Sequence, residues 1–145
     1  KELGFNYRLT DFQSALGMAQ LAKNEKGVKT RNEIASTYKK AFKGLIKFQD
    51  LPCNLYNAHH LFIIEVENRK ELYDYLRSNN IFSQIHYIPV HLLPYYNNIG
   101  YEGANLIHSE NYYANCISLP MYPTLTHEEQ NFVISKVLKF ISNEE

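Results

Sequence analysis

Residues 60–80, HLFIIEVENRKELYDYLRSNN, decide the fold class because a strand pattern and a helix pattern follow each other directly. The run 60–66 is nearly all apolar, has strand length and contains β-branched residues, which favours a buried strand. Asn68 with Glu71 is typical of a helix start, and the asparagine pair 79–80 is typical of a helix end. The stretch therefore predicts one strand followed by one helix.

Three more elements are predicted after residue 103. Residues 104–115 predict a short helix, and CISLP at 116–120 predicts a brief strand that ends at its proline. Thr126 with Glu129 forms a capping-box pattern, and apolar residues at helical spacing follow it. The chain is therefore expected to finish in a helix.

The first 44 residues predict two helices separated by a break. Thr10, followed three residues later by Gln, is a capping-box pattern, and the apolar spacing after it predicts a helix over 10–22. After a polar break at 24–27, a second helix with one apolar stripe is predicted over 28–44. Gly17 costs the first helix about 1 kcal/mol relative to alanine, so we expect another backbone to pass closely there.

These elements imply an α+β unit in which a small sheet packs against helices. A further strand is predicted at Phe82–Tyr87, where apolar and polar residues alternate. Two leading helices are thus followed by strand, helix, strand, helix, strand and helix, which predicts three or four strands with helices on one face. This order leaves the strand directions open. At 145 residues the chain has the size of a single domain with one core.

Composition argues against several classes of partner. Fifteen basic and fifteen acidic residues give a formal charge of zero, so no overall field attracts nucleic acid or an anionic membrane. The basic stretch Lys23–Lys47 holds eight cations against two glutamates, which on an amphipathic helix is typical of a solvated face. Cys53 and Cys116 lie far apart, and no apolar run approaches the roughly 20 residues of a membrane span. We expect a soluble, cytoplasmic protein without zinc or disulfides.

The segment GFNYR, residues 4–8, precedes the first helix and is a candidate anion site. The Asn6 amide, the Tyr7 hydroxyl and the Arg8 guanidinium are hydrogen-bond donors, and the free N–H groups at a helix start favour anions. A phosphate fits this chemistry. A structural interpretation fits as well, in which Asn6 turns the chain, Tyr7 packs and Arg8 pairs with an acidic neighbour.

A second candidate is QIHYIPVHLLPYY, residues 84–96, most of which falls in a predicted loop. Two histidines and three tyrosines cluster around Pro89 and Pro94, and proline rigidity can preorganise a loop for a ligand. They are His86, Tyr87, His91, Tyr95 and Tyr96. Histidine and tyrosine suit hydrogen bonds to a sugar and proton transfer near neutral pH. Packing of the same residues as a core histidine and buried tyrosines is an equal alternative.

Motif chemistry adds no catalytic centre. The sequence contains no GxGxxG or Walker loop, no GxSxG and no HExxH, and no pair of acidic residues stands out. A metal site formed by His86 and His91, with His59 or His60, is disfavoured because no Asp, Glu or Cys stands at useful spacing. From the residues alone, the chain is a soluble α+β domain with a candidate anion site.

Five blocks in fixed order carry a resemblance to a known family. They are GFNYRLTDFQSALGMAQL, KTRNEIASTYKKAF, AHHLFIIEV, NNIFSQIHYIPVHLLPYY and SLPMYPTLTHEEQNFVISKVLKF. Together they resemble the C-terminal part of the DegT/DnrJ/EryC/StrS family of nucleotide-sugar aminotransferases over essentially the whole chain. LGFNYRL and HYIPVH most resemble the branch of the family that serves pseudaminic acid synthesis and aminates a UDP-linked keto-sugar.

The resemblance implies the small C-terminal domain of the pyridoxal-phosphate-dependent aspartate aminotransferase fold, fold type I. Residues 1–145 are then a fragment, and the N-terminal large domain, with its Schiff-base lysine and the acidic partner of the pyridine nitrogen, is absent. No lysine here stands in the family's lysine motif, so no catalytic residue is assigned. The parent enzyme is expected to move an amino group from glutamate to a nucleotide-linked keto-sugar for cell-surface or flagellar glycans. The fragment alone is expected to be inactive and not to hold the cofactor.

The resemblance also implies roles for single residues. Asn6, with Arg8 beside it, is expected to reach the cofactor phosphate of the other subunit of a homodimer. Contact with the UDP-sugar is assigned to Tyr7, His86, Tyr87, His91 and Tyr95. A non-catalytic dimerisation or ligand-binding module that reuses the fold is the alternative.

Overall fold

One long helix opens the fold in the computed structural model, which describes residues 4, 5, 7–52, 55–101 and 105–142. This helix, α1 (Asp11–Phe42), has 32 residues. The Thr10 hydroxyl oxygen accepts a hydrogen bond from the Gln13 N–H at 3.3 Å, and the Gln13 side-chain oxygen accepts one from the Thr10 N–H at 2.9 Å. The predicted capping box is therefore confirmed.

The predicted break at 24–27 is wrong, because α1 continues through it. Once a helix is nucleated, each added residue gains a hydrogen bond, which outweighs the weak helix propensity of Asn24 and Gly27. The helix ends at Phe42, two residues before the predicted end, and Gly44 follows with a φ of +76°. That left-handed conformation suits a glycine just after a helix.

Three short strands form an antiparallel sheet in the order β1-β2-β3. They are β1 (Lys47–Phe48), β2 (Phe62–Glu65) and β3 (Cys116–Leu119). In register, Phe48 lies opposite Ile64 and Phe62 lies opposite Leu119. The strands β2 and β3 confirm the predictions at 60–66 and 116–120. β1 has no counterpart among the predictions, because two residues are too short to show a period.

The predicted helices after Asn68 and Thr126 are confirmed as α2 (Arg69–Ser78) and α5 (His127–Ile141). The capping box of Thr126 forms, whereas the Asn68 side chain makes no capping hydrogen bond although it stands at the N-cap. The predicted helix at 104–115 is present as Ile107–Asn115. Its last residue is followed at once by the first residue of β3.

The strand predicted at Phe82–Tyr87 is wrong, because only Gln84 pairs, through an isolated bridge to Ser118. The next hydrogen-bonded position toward Phe82 would use the N–H of residue 120, and Pro120 has none. The predicted loop that follows contains the 3₁₀ turn Val90–Leu92, the single turn α3 (Pro94–Tyr96) and the irregular turn Asn97–Tyr101. The helix Ile107–Asn115 is therefore named α4.

Helices α1, α2 and α5 share one core with the sheet, which gives an α+β fold. Side chains alternate along β3, so Ile117 and Leu119 join that core while Cys116 and Ser118 lie on the opposite face. The buried side chains that helices contribute to the core are Ile34, Ala35, Tyr38 and Phe42 from α1, Leu72 and Leu76 from α2, and Val133 and Val137 from α5. Among the described residues, no helix has the length and apolarity that a bilayer crossing requires.

Arg31 links α1 to two other parts of the chain. Its Nη1 donates hydrogen bonds to the carbonyl oxygens of His59 at 3.1 Å, His60 at 3.2 Å and Met121 at 2.8 Å. Met121 follows β3, and the two histidines precede β2. One guanidinium therefore ties the entry of one strand and the exit of the next to the same helix.

Tyr38 makes the second link between α1 and the end of β3. Its ring is fully buried against Phe42, with centroids 5.8 Å apart, and Phe62, with centroids 5.0 Å apart. Its hydroxyl donates a hydrogen bond to the carbonyl oxygen of Pro120 at 3.0 Å. The side chain thus combines apolar packing with a satisfied polar group.

Tyr38 also predicts a loss of stability at alkaline pH. Burial raises the pKa of Tyr38 above its ordinary value of 10.0, and ionised Tyr122 adds to the shift. Above about pH 10 the unfolded chain therefore releases this proton while the folded chain keeps it, so the free energy of unfolding falls as pH rises. Tyr38→Phe lacks this proton. At pH 7 the free energy of unfolding of Tyr38→Phe should be about 1 kcal/mol below that of wild type, because one hydrogen bond is lost. In urea titrations above pH 10 this difference should shrink, since only the wild type loses stability there. A deficit that is constant with pH would contradict the assignment.

Candidate functional site

His86 lies where the chain leaves the edge of the sheet. Its Nδ1 is 2.8 Å from the hydroxyl oxygen of Ser118, which is buried on the sheet face opposite the helical core. Gln84, two residues earlier, exchanges two backbone hydrogen bonds with Ser118, at 2.8 and 3.1 Å. Residues two apart in an extended chain point to the same side, which places the imidazole over the Ser118 side chain. Ser118 therefore holds this part of the chain twice, through its backbone at Gln84 and through its side chain at His86.

Two tyrosines of the segment 84–96 are largely exposed. Tyr87 is 73% exposed and sets its ring edge-on to the His86 imidazole, with centroids 4.7 Å apart. Tyr95 in α3 is 68% exposed and packs edge-on against Tyr96, with centroids 5.3 Å apart. Each phenol ring is oriented by an aromatic neighbour and remains largely exposed.

His91 differs from these tyrosines because only 8% of it is exposed. Its Nε2 is 2.9 Å from Oε1 of Glu110 in α4. An ionised carboxylate can only accept hydrogen bonds, so Nε2 carries a proton and donates it to this pair. The hydrogen bond from His91 holds the pKa of the Glu110 carboxyl below its ordinary value. Glu110 therefore links the loop after His86 to α4.

A cleft of about 420 Å³ opens beside His86, between the chain segment before it, the end of β3 and α5. Most of its lining side chains are apolar, and Phe82, Tyr122 and Phe132 among them are exposed. Gln84, His86 and Ser118 supply polar groups. Small-molecule sites commonly have this size and this mixture of lining groups.

The GFNYR segment stands ahead of α1. Tyr7 and Arg8 are exposed, and Asn6 lies outside the described residues. The Gln13 N–H already donates to the capping box, and Asp11 adds negative charge to the first turn. The helix start therefore contributes less to anion binding than its position predicts. A phosphate held here depends on the Asn, Tyr and Arg side chains.

The two candidate sites do not meet within one copy of the chain. The buried side chains of α1 begin at Ile34, about 36 Å along the helix axis from Thr10 at 1.5 Å per residue. Every described residue from Gly4 to Lys26 is exposed. Arg8 therefore lies far from the core that positions His86.

The metal alternative gains no support, since no group of three His, Cys, Asp or Glu side chains among the described residues could hold a metal. Two residues of the site, Ser118 and Glu110, were missed by sequence reasoning. Ser118 left a weak signal as the only polar residue within the buried stretch CISL. Glu110 left none, because it follows His91 by 19 residues without any motif spacing.

Comparison with known proteins then shows the family. The model of the DegT/DnrJ/EryC1/StrS aminotransferase family matches residues 1–138. The chain therefore belongs to this family. Its α+β fold is that of solved aminotransferases of the same family, as the resemblance implies.

Three similar proteins illustrate the match. The UDP-4-amino-4,6-dideoxy-N-acetyl-beta-L-altrosamine transaminase of Helicobacter pylori is 32% identical over 146 residues, which cover 96% of this chain and 39% of that protein. The structure of Helicobacter pylori PseC, an aminotransferase involved in the biosynthesis of pseudoaminic acid, matches with a TM-score of 0.86 and 31% identity, over 99% of this chain and 40% of that one. The PLP form of Spr1654, a putative sugar aminotransferase from Streptococcus pneumoniae, matches with a TM-score of 0.85 and 28% identity, over 94% and 36%. The chain thus spans 36–40% of the length of these proteins.

Proposed function

We propose that the chain is the C-terminal part of a pyridoxal-phosphate-dependent enzyme that transfers an amino group from glutamate to a nucleotide-linked keto-sugar. The observation that carries the proposal is the family match over residues 1–138. Relatives named as a UDP-sugar transaminase and as an enzyme of pseudoaminic acid biosynthesis support a UDP-sugar substrate for cell-surface or flagellar glycans. The match covers 39% of that relative's length, so the activity is proposed for the whole protein and not for these residues alone.

Pyridoxal phosphate, when bound, supplies the electron sink that amino-group transfer needs. Asn6 and Arg8 are the residues of this chain proposed to hold its phosphate. The planar guanidinium of Arg8 is exposed, and its N–H groups match phosphate oxygens. Tyr7, next to both, is proposed to contact the sugar nucleotide. These donors fit an anionic group, while the Schiff-base lysine belongs to the large domain.

The exposed start of α1 supports a homodimer whose active site is shared between subunits. Phe12, Leu16 and Leu21 are 82%, 54% and 73% exposed, although large apolar side chains gain stability from burial. A Cβ atom added at Gly17 would meet no described atom within 4 Å, so the close approach predicted there needs another chain or domain. The GFNYR segment precedes this exposed part of α1, and it is proposed to reach the cofactor of the other subunit.

The segment from His86 to Tyr95 is proposed to face the sugar nucleotide. The exposed hydroxyl-bearing rings of Tyr87 and Tyr95 and the fixed imidazole of His86 can donate and accept hydrogen bonds. A cytoplasmic location without nucleic-acid or membrane partners completes the proposal, in keeping with a formal charge of zero. A non-catalytic dimerisation module is the second candidate, and the exposed apolar face of α1 favours it.

Absorbance spectroscopy tests the proposal on a protein that carries this chain at the length of its relatives. With added pyridoxal phosphate, that parent should show a visible cofactor band that shifts on adding glutamate, and the isolated chain should show neither. Asn6→Ala in the parent should lose the cofactor faster on dialysis, because one phosphate donor is removed. A parent without any cofactor band would point to the dimerisation module. Turnover by the isolated chain would contradict its assignment as an inactive part.

A further inference from the structure

The segment 86–96 is fastened to the rest of the fold at two histidines. His86 is held by Ser118 of β3 at 2.8 Å, and His91 is held by Glu110 of α4 at 2.9 Å. Both attachment points lie on elements that follow each other directly, because α4 ends at residue 115 and β3 begins at residue 116. The backbone at this junction is itself tied to the fold through the Val66 N–H, which donates to the Asn115 carbonyl oxygen at 3.0 Å.

The two attachments differ in how they are supported. The one at Ser118 is backed by the backbone bridge to Gln84. The one at Glu110 has no backbone bridge beside it: the turn hydrogen bonds after Pro89 run from the N–H groups of Leu92, Leu93, Tyr96 and Asn97 to carbonyl oxygens three or four residues earlier. The His91–Glu110 hydrogen bond, at 2.9 Å, ties this distal part of the segment to α4.

The His91–Glu110 contact joins a buried side chain to one that is partly exposed. The His91 ring is nearly covered, whereas the Glu110 side chain is 39% exposed, so a surface carboxylate satisfies a buried imidazole N–H. Without the carboxylate, that buried donor has no acceptor, and the cheapest response is for His91 to move out into water. Among the described side chains, none between residues 86 and 100 belongs to the hydrophobic core, so this movement releases the segment without unfolding the domain.

We propose that Glu110 is a positioning residue that, through His91, holds the segment 86–96 so that Tyr87 and Tyr95 meet the sugar nucleotide. This inference rests on the proposed function. In this arrangement His91 anchors the segment, and the exposed Tyr87 and Tyr95 on either side of it contact the sugar nucleotide. Glu110 itself touches no substrate.

The test compares Glu110→Ala with Glu110→Gln in the full-length parent. We expect Glu110→Ala to raise KM for the UDP-keto-sugar about tenfold and to leave kcat within about twofold, since it removes one charge-assisted hydrogen bond from the ligand-binding arrangement. Glu110→Gln keeps an oxygen that accepts from His91 Nε2, so it should restore most of the affinity. Glu128→Ala is the matched control, because it removes an exposed carboxylate from the first turn of α5 as Glu110→Ala does from α4.

Limited proteolysis of the 145-residue chain tests the anchor without any substrate. Chymotrypsin should cut Glu110→Ala at Tyr95 and Tyr96 about tenfold faster than wild type, while the thermal midpoint stays within about 2 °C of the Glu128→Ala control. An active wild-type parent whose KM is unchanged by Glu110→Ala overturns the inference and leaves the proposed function standing. A wild-type parent that aminates no nucleotide sugar overturns the proposed function itself. Unchanged proteolysis overturns the anchoring step.

Discussion

Tyr38→Ala should lower the free energy of unfolding by about 4 kcal/mol, in the range measured for truncating a buried large side chain. The ring is fully buried between Phe42 and Phe62, and its hydroxyl satisfies the carbonyl oxygen of Pro120. Removing it leaves a cavity between α1 and the sheet and an unsatisfied carbonyl at the end of β3. The cavity and the unsatisfied carbonyl lie at the same contact between α1 and the end of β3, so the surrounding residues can compensate for little of either loss.

Urea unfolding followed by far-UV circular dichroism measures this change. Tyr56→Ala is the matched control, because the same substitution at a side chain that is 76% exposed should change the stability by about 0.5 kcal/mol or less. Tyr38→Phe divides the effect into the ring and the hydroxyl. A cost for Tyr38→Ala no greater than that of the Tyr56 control would show that α1 does not pack on the sheet as described.

Arg31→Met should cost about 3 kcal/mol, because three backbone carbonyl oxygens lose a charged donor at once. Methionine keeps an unbranched apolar stem of similar length, so the change isolates the guanidinium. The affected carbonyls belong to the turn before β2 and the turn after β3. Both strand ends should therefore loosen together, and amide hydrogen exchange should increase at His60 and at Met121.

Lys29→Met is the control for this substitution, since it removes an exposed cation two residues away on the same helix. It should leave the denaturation midpoint nearly unchanged. Arg31→Lys should fall between the two, because an ammonium group cannot reproduce the planar array of donors. Equal effects of Arg31→Met and Lys29→Met on the denaturation midpoint would show that the Arg31 contacts stabilise the fold no more than an exposed charge does.

The elements predicted correctly are those whose signals are local. The capping boxes at Thr10 and Thr126 satisfy helix ends with residues three positions away, so sequence alone fixes where α1 and α5 begin. The wrong predictions depend on distant residues or on cooperativity. The strand at 82–87 fails because its partner position is a proline 38 residues later in the chain, and the break at 24–27 disappears inside a helix that is already formed.

In the candidate site, too, local features are predictable and long-range contacts are not. The cluster of His86, Tyr87, His91 and Tyr95 is evident from composition, and its contact with the substrate stays a prediction from the family resemblance. The residues that hold the cluster are not evident, because Ser118 and Glu110 lie 32 and 19 positions from their histidines. Hydrogen bonds over such separations depend on how α4 and β3 are arranged in the fold, and no rule based on residue spacing predicts them.

Because α1 is long, a small movement where it packs on the core becomes a large displacement at its N-terminal end. The hydrogen bonds and buried side chains that hold α1 against the fold begin at Arg31, so the part of the helix from Thr10 to Arg31 projects about 32 Å beyond them. A tilt of about 10° at the clamped end moves the tip by about 6 Å, which is twice the length of a hydrogen bond. The rigidity of the contacts that Arg31 and Tyr38 make therefore determines how precisely α1 positions Arg8 relative to the core.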